Sequence, residues 1–218
     1  MLVKKQSKQD RGADARPDKS VRARVLRAAM QTFMERGYTE SSTLAIATRA
    51  KVSKRELYVL FGSKEAMLAA CITERAERMR LPREVPPART REEFAKLLAH
   101  FGALSLREIC QPPVLAVFRL AISEATRSPE VARTLDTAGR QSSHSSLNGV
   151  LAQAQAAGLI EKGKVEEMAE EFMGLLWGDL ILSLLLRVRE APSAREIDRR
   201  AENAAGAWLR MHGPPATT

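Results

Sequence analysis

The chain has 218 residues, 44% of them hydrophobic and 28% charged, and its 12 Gly and 10 Pro are too few for a fibrous or disordered chain. Its net charge of +9 is confined to one part, because residues 1–80 hold 18 Lys and Arg against 9 Asp and Glu, whereas residues 81–218 hold 17 of each. A basic N-terminal block joined to a neutral body indicates a reader of nucleic acid or of another anionic surface.

Targeting signals and membrane spans are not expected in this chain. The first residues lack the apolar core and the cleavage site of a signal peptide. The longest apolar stretch, Phe172–Leu186, has 15 residues and is interrupted by Asp179, whereas a span needs roughly 20. Cys71 and Cys110 lie in helical, apolar contexts that favour free thiols. We therefore expect a soluble cytoplasmic protein with no membrane contact, no metal and no cofactor.

The N-terminal residues 1–19 are predicted to form a flexible basic arm. The arm either follows a DNA minor groove or is a solvated tail; its basic residues are Lys4, Lys5, Lys8, Arg11, Arg16 and Lys19. The first helix is predicted over Val21–Arg36, because its apolar residues recur three and four apart and Gly37 stands where a helix commonly ends.

The remaining periodicity is also helical, so the predicted fold class is all-α with about nine helices. Residues 20–81 form a helix-turn-helix domain and residues 90–212 a second helical domain, with Pro82, Pro86 and Pro87 at the boundary. The later helices are predicted over 64–80, 90–110, 114–126, 129–157, 165–189 and from 193 onward. Ser42, Ser53, Ser63, Thr90, Ser128 and Ser193 are predicted to cap helices.

The segments Thr43–Ala50 and Lys54–Phe61, separated by three residues, match a helix-turn-helix whose second helix enters the DNA major groove. Apolar residues such as Leu44, Ile46 and Leu57 are expected to lock this pair against the first helix. The residues left to project outward are Lys54, Arg55, Glu56, Tyr58 and Val59. Spacing alone leaves a second interpretation open, in which this is the solvated face of an ordinary helical bundle.

The same stretch resembles the TetR family of transcriptional regulators. The resemblance is carried by Ile46-Ala47, Ala50-Lys51-Val52-Ser53, Leu57-Tyr58 and Phe61-Gly62-Ser63-Lys64-Glu65. It covers residues 20–80 and continues more weakly over residues 106–187, which look like the AefR-like branch. Lys51 stands where the family usually has a glycine, so either its backbone is not left-handed or the strain is tolerated.

Roles follow from the positions that match this family. Thr43 and Tyr58 resemble residues that contact DNA, and Lys64 at a helix N-terminus suits a phosphate. Lys54 and Arg55 open the recognition helix, where an arginine can bond to guanine O6 and N7. Glu56 either accepts from cytosine or forms a capping box with Ser53.

The C-terminal half is predicted to enclose an apolar effector cavity within residues 91–189. The residues expected to line it are Phe101, Leu104, Phe118, Ile122, Phe172 and Trp177. The polar run Gln141–Ser146 is the expected source of hydrogen bonds to a ligand. The alternative is that the aromatic residues fill an ordinary core and the polar run faces water.

A homodimer is expected through the last helices, as the family resemblance implies. Gly174 and Gly178 have the small-xxx-small spacing that lets two helices approach closely. The predicted interface consists of Gly174, Gly178, Leu182, Ala204 and Trp208. The alternative is that the apolar helix containing the two glycines lies in the core of one subunit.

An enzyme is not expected. The segment Gly158–Lys164 imitates a phosphate-binding loop, but Val165 stands where a magnesium-binding Ser or Thr is required. The leading hypothesis is a ligand-responsive repressor that binds a palindromic double-stranded DNA operator as a homodimer and is released by a small apolar effector. The alternative is an architectural DNA-binding protein without an effector cavity.

Overall fold

The computed structural model describes residues 19–79 and 87–213, and no strand occurs within those ranges. The all-α prediction is therefore confirmed for the described chain. Residues 1–18 of the predicted basic arm and most of the predicted domain boundary lie outside the described residues.

The N-terminal part consists of α1 (Lys19–Arg36), α2 (Thr43–Ala50), α3 (Lys54–Phe61) and α4 (Lys64–Glu77). The C-terminal part contains α5 (Arg91–Ile109), α6 (Pro112–Glu124), α7 (Pro129–Thr134), α8 (Ser142–Ala156), α9 (Val165–Trp177), α10 (Leu180–Leu185) and α11 (Ala194–Met211). A π-helix, Leu135–Gln141, joins α7 to α8 without a break.

Two of the predicted helices are interrupted. The predicted helix over 129–157 has the π-helix in its middle. The predicted helix over 165–189 ends at Trp177, because Gly178 adopts a φ of +46°. The chain then continues as α10, which ends before Arg187, a residue with a φ of +60°.

Serine and threonine caps set several helix starts, as the sequence predicts. The hydroxyl groups of Ser42, Ser53 and Ser63 each accept a hydrogen bond from the backbone N–H three residues later. Thr90 and Ser193 do the same for α5 and α11. These bonds satisfy backbone donors that have no partner within their own helix.

The described residues form two main apolar cores. The first unites α1–α4 with α6 and α7, since Val117, Leu120 and Val131 are buried among the N-terminal helices. The second is built from α5 and α8–α11, around the fully buried Phe101 and Trp208. Helices α1–α4 therefore share their core with the C-terminal part.

The C-terminal end of α11 is held in place. The position of His212 near the end of the chain predicts a frayed residue, and this is wrong, because the residue is only 8% exposed. Its Nδ1 lies 2.8 Å from Glu161 Oε1 and its Nε2 lies 2.6 Å from Glu171 Oε2. The ring also stacks on Trp208, so that α11 is tied to the turn before α9 and to α9 itself.

The turn between α2 and α3 contains a left-handed residue. Lys51 adopts φ 53° and ψ 48°, and its backbone N–H bonds to carbonyl groups at the end of α2. The strain that its side chain introduces is therefore tolerated rather than avoided. Arg24 Nε also donates to Ala50 O over 2.7 Å, which secures the same turn to α1.

Replacing Lys51 by glycine is expected to raise the free energy of unfolding by ~1 kcal/mol, because glycine adopts the left-handed conformation without a Cβ clash. Lys51→Ala is the matched control, since it removes the charge and keeps the Cβ atom. Thermal and denaturant unfolding measure both variants. An equal change in the two variants would mean that backbone strain is not the cause.

Candidate DNA-binding surface and effector cavity

Helix α3 presents its outer face to solvent and buries its inner face. Leu57 is fully buried and anchors α3 in the first core. Val59 is 79% exposed and Tyr58 is 44% exposed, and Lys54 and Arg55 are also exposed. A basic and apolar outer face on an eight-residue helix is suited to a partner surface rather than to solvent alone.

Three of the predicted DNA contacts meet on this face. Thr43 Oγ1, at the start of α2, lies 3.5 Å from Tyr58 Oη. Lys54 Nζ lies 5.7 Å from the centre of the Tyr58 ring. The structure thus places Thr43, Lys54 and Tyr58 together, with Arg55 exposed beside them at the N-terminal end of α3.

Leu44 lies on this surface and not in the core. It is 63% exposed, so the expectation that it locks α2 against α1 is wrong. The buried residues of α2 are Ile46, Ala47 and Ala50, which face α1 instead. Leu44, Tyr58 and Val59 therefore add exposed apolar area to the basic surface.

Glu56 completes a capping box at the start of α3. Its carboxylate accepts from Ser53 N–H over 2.8 Å, and its own N–H donates to Ser53 Oγ over 3.1 Å. The bond from the Ser53 backbone, with help from the Ser53 hydroxyl, holds the pKa of Glu56 below its ordinary value. Of the two roles left open by the sequence, capping is the one present in this structure.

Lys64 holds the turn between α1 and α2. Its ammonium group donates to Tyr38 O over 2.9 Å and lies 4.2 Å from the centre of the Tyr38 ring. The ammonium group of Lys64 thus already has an acceptor inside the protein. Its contact with a DNA phosphate stays a prediction.

The other side of this turn is held by Glu124 at the end of α6. Glu124 Oε1 accepts from Tyr38 N–H over 3.1 Å, and Glu124 Oε2 accepts from the Thr39 hydroxyl over 2.8 Å. The Thr39 hydrogen bond is the main cause of the lowered pKa of Glu124. A Cβ atom at Gly37 would lie 3.0 Å from Glu124 Oε1, so a larger residue there would crowd the carboxylate.

Ser128 extends this contact and does not cap α7. The sequence predicts an N-cap, but the Ser128 hydroxyl makes no capping bond. It lies 3.0 Å from Thr39 Oγ1. Because Thr39 gives its hydroxyl proton to Glu124, Ser128 is the donor of that bond. A polar clamp from α6 and the start of α7 thus holds the α1–α2 turn.

A cavity of about 370 Å³ lies beside this clamp, between the two apolar cores. Its walls come from α1 and α4 on one side and from α5–α9 on the other. The residues contributed by the N-terminal part are Met30, Cys71, Ile72, Arg75, Ala76 and Met79. The expectation that residues 91–189 alone enclose the cavity is therefore wrong, because α1 and α4 supply one of its walls.

The structure brings three of the six predicted effector residues together. Phe118, Ile122 and Trp177 line the cavity, and Ile122 is 63% exposed, which marks an opening to solvent. Phe101 and Phe172 instead fill the second core, with ring centres 6.4 Å apart.

Leu104 is half-buried and is not part of the cavity wall. Within the predicted polar run, His144 lines the cavity and the Gln141 amide donates to Asp136 over 2.8 Å. The side chains of Ser142 and Ser143 lie outside those that the structure describes. The sequence around Cys71 and Arg75 gives no indication that these two residues line a cavity.

The predicted dimer residues divide into exposed and buried ones. Gly174, Gly178 and Leu182 are exposed, and Leu182 is exposed to 61%. Ala204 and Trp208 are buried within the subunit, where Trp208 Nε1–H donates to Met168 O over 2.9 Å. Trp208 therefore does not lie on a surface that a second subunit could reach, whereas Ala204 lines a surface groove beside Leu175.

Gly178 has a different role from the helix approach that its spacing suggested. It ends α9, and a Cβ atom at this position would lie 2.6 Å from Arg200 Nη2. Arg200 donates to the carbonyl groups of Leu176 and Trp177 over 2.6 and 2.7 Å. Glycine is needed here for the left-handed turn and for the close approach of Arg200.

Three further properties of the described residues concern metal sites, membrane-spanning helices and disulfide bonds. Within ranges 19–79 and 87–213, no group of three His, Cys, Asp or Glu side chains is placed to hold a metal ion. None of the helices in those ranges has the length and apolarity that crossing a membrane requires. The thiols of Cys71 and Cys110 are both free and buried.

Family models match both parts of the chain. The model of bacterial regulatory proteins of the tetR family matches residues 25–71, which contain α2 and α3. The model of the AefR-like transcriptional repressor C-terminal domain matches residues 96–214.

Individual relatives agree with these matches. The uncharacterized HTH-type transcriptional regulator YvkB of Bacillus subtilis is 26% identical over 185 residues, which cover 80% of this chain and 90% of the relative. A TetR transcriptional regulator from Agrobacterium tumefaciens is 28% identical, with a TM-score of 0.74 and coverage of 89% and 95%. The flavonoid-responsive regulator FrrA is 29% identical, with a TM-score of 0.73 and coverage of 90% and 99%.

The helix-turn-helix geometry, the exposed basic face of α3 and these matches lead to one assignment. Because the AefR-like model alone matches more than half of its residues, the chain belongs to the TetR family of bacterial transcriptional regulators and is a DNA-binding regulator, not an enzyme.

Proposed function

We propose that this regulator is a ligand-responsive repressor that binds a palindromic operator as a homodimer and leaves it when a small, mainly apolar effector fills the cavity. The site of action is the cytoplasm, where the chromosome is accessible. The observation that carries the proposal is the position of the cavity, whose walls belong both to α1 and α4 of the N-terminal part and to the C-terminal helices. An architectural DNA-binding protein would have no use for such a space.

Operator binding is proposed to use the face formed by Thr43, Lys54, Arg55 and Tyr58. Phosphate contacts from basic and hydroxyl groups position a protein on DNA, whereas base edges in the major groove give specificity. The N-terminal end of α3, where Arg55 is exposed, is the part of a recognition helix that reaches base edges.

Dimerisation is proposed through the outer face of α9 and α10. Leu175 of α9 and Leu182 of α10 are exposed there, as are Leu186 and Val188 just after α10. Exposed apolar side chains in one region indicate a surface that another molecule covers. A second copy of the chain is the partner that a palindromic operator requires, since two recognition helices must lie roughly 34 Å apart.

Release from DNA is proposed to act through α4 and α6. Ile122 and Ala125 line the cavity at the end of α6, and Glu124 between them clamps the α1–α2 turn. A ligand between α4 and α6 therefore alters the spacing of the elements that hold α2 and α3. It releases DNA to the extent that it prefers the conformation that does not fit the operator.

The similarity to a flavonoid-responsive regulator supports a ligand response of this kind. The cavity volume of about 370 Å³ also falls within the range of small-molecule sites, ~300–1,000 Å³.

Arg55→Ala is expected to relax the preference at one base position of each half-site by ~1–3 kcal/mol, because an arginine pairs with a guanine edge through two hydrogen bonds. Lys54→Met is expected to weaken binding to all sequences alike and to lower the salt slope by about one, because its side chain no longer neutralises a phosphate. Titrations of a selected operator and its single-base variants at several salt concentrations measure both effects.

The matched control for these titrations is Lys162→Met, which removes a positive charge from an exposed turn in the C-terminal part. This variant is expected to bind DNA as the unaltered protein does. Equal reductions in affinity for Arg55→Ala and Lys54→Met on specific and random DNA would contradict the proposed division of roles.

Leu182→Glu is expected to convert the dimer to a monomer, because a carboxylate on the α9–α10 face would have to be buried without a partner. Sedimentation velocity gives the oligomeric state, and circular dichroism checks that the helices persist. Val59→Glu is the matched control, since it adds the same charge at an exposed apolar residue of α3 and is expected to leave a dimer that binds DNA weakly. A monomeric unaltered protein would refute the dimer.

Glu124→Gln is expected to reduce the change in operator affinity that a cavity ligand causes, because the amide accepts hydrogen bonds from the α1–α2 turn less strongly than the carboxylate does. Operator affinity is measured with and without saturating 2-naphthol, an aromatic probe small enough for the cavity. Couplings of this type are ~1–3 kcal/mol. Calorimetry shows whether the variant still binds the probe.

Glu40→Gln is the control for the coupling experiment, because it removes the same charge from an exposed residue of the same turn. It is expected to retain the full response to the probe. A full response in Glu124→Gln would show that the clamp does not transmit the effect of the ligand.

A further inference from the structure

The polar groups of the cavity wall lie on few residues. Asp136, Arg140 and His144 follow one another at intervals of four residues along the π-helix and the start of α8, and Arg75 comes from α4. Most of the remaining wall is apolar, and it includes Phe118 and Trp177. A ligand in this space therefore meets an apolar surface with a polar strip along the π-helix and α8.

The charged members of the wall are already paired. Arg75 Nη1 lies 3.1 Å from Glu108 Oε1, and Glu108 is itself only slightly exposed. Arg140 Nε donates to Asp136, which also accepts from Gln141 over 2.8 Å. Because these wall charges neutralise one another, a charged ligand would bring in a charge that no unpaired group of the wall compensates. The electrostatics of the wall thus favour a neutral ligand.

The Trp177 indole N–H is buried in this wall without a hydrogen-bond partner, and His144 is the other polar side chain of the wall that is left for a ligand. Among the described residues neither of its ring nitrogens has a hydrogen-bond partner. Burial, followed by the positive charge of Arg140, lowers the pKa of the imidazole, so that it is neutral at physiological pH. A neutral imidazole offers one N–H donor and one nitrogen acceptor. A hydroxyl group can match either of them.

The thiol of Cys71 is not available in the same way. Its Sγ–H donates to Leu26 O over 3.4 Å, and burial raises its pKa to about 12. It contributes to the wall as a small apolar group.

The apolar part of the wall is suited to aromatic rings. Phe118 and Trp177 offer ring surfaces, and Met30, Met79 and Met173 offer thioether groups. Both kinds of side chain pack favourably against an aromatic ring. The unbranched methionine side chains also adapt to rings of different outline.

The π-helix brings this polar strip next to α4. Gly139 faces Ile72 of α4 so closely that a Cβ atom would lie 3.3 Å from Ile72 Cγ2. A π-helical turn widens the backbone, and such turns are frequent at functional sites. Asp136 and Arg140 of the same turn border the cavity.

The geometry points to a neutral aromatic ligand with a hydroxyl group, which packs its rings between α4, α6 and α9 and hydrogen-bonds through its hydroxyl to His144. This inference rests on the proposed function, since it names the class of effector that the cavity accepts.

The test compares three probes with the same ring system by isothermal titration calorimetry on the full-length protein. The probes are 2-naphthol, 2-methylnaphthalene and 2-naphthoate, which place a hydroxyl, a methyl or a carboxylate group at the same position. The expected result is that 2-naphthol binds ~10-fold more tightly than 2-methylnaphthalene, the size of one net hydrogen bond, and more tightly than 2-naphthoate.

His144→Phe is expected to abolish the preference for the hydroxyl while 2-methylnaphthalene still binds. The matched control is His100→Phe, which changes an exposed histidine of α5 outside the cavity and is expected to keep the preference. The Trp177→Phe variant locates the site, because a probe in the cavity quenches the fluorescence of Trp177 and not that of Trp208, which lies in the second core.

The outcomes separate the ligand class from the proposed function. Equal affinities for the hydroxyl and methyl probes, or a preference that survives in His144→Phe, would overturn the ligand class while leaving an effector cavity. Tighter binding of 2-naphthoate would overturn the requirement for a neutral ligand. Failure of all three probes to bind would overturn the effector cavity and, with it, this inference.

Discussion

The structure depends on the packing of α6 and α7 against the DNA-binding helices. With eight residues each, α2 and α3 are too short to be stable alone, so their position is set by what they pack against. Val117, Leu120 and Val131 belong to the same buried core as Ile46 and Leu57. Each buried aliphatic side chain of this size contributes ~1.5–3 kcal/mol. The DNA-binding surface therefore takes its position from helices of the C-terminal part.

The hydrophobic effect is not directional, so apolar packing does not by itself fix the orientation of α2 and α3. The orientation is supplied by hydrogen bonds to the α1–α2 turn, from Glu124 on one side and Lys64 on the other. These groups hold Tyr38 and Thr39 just before α2 begins. The pKa of Glu124 is lowered from its ordinary value of 4.5. The carboxylate therefore stabilises the clamp fully at pH values above 4.5, and this stabilisation is lost as the pH falls through the lowered pKa.

The sequence predicts the features that a few neighbouring residues determine. The first residues of α2 and α3 follow from Ser42 and Ser53, because a cap acts over three residues. The wall that α1 and α4 contribute to the cavity could not be predicted, since Met30 and Trp177 meet there only after the whole chain has packed. The role of Gly178 could not be predicted for a related reason, because a glycine spacing carries no information about a φ of +46°.

A cavity at this junction limits how regulation can work. An effector can shift the balance between two conformations only by its difference in affinity for them, so it must touch something that moves. A ligand enclosed by the C-terminal helices alone would need a chain of intervening residues to reach α2 and α3. Here the same ligand would contact Ile72 of α4 and Ile122 of α6. Both of these helices pack in the same core as α2 and α3. Under the proposed function, the difference in affinity would arise at contacts whose rearrangement changes the position of α3, without a separate transmission pathway.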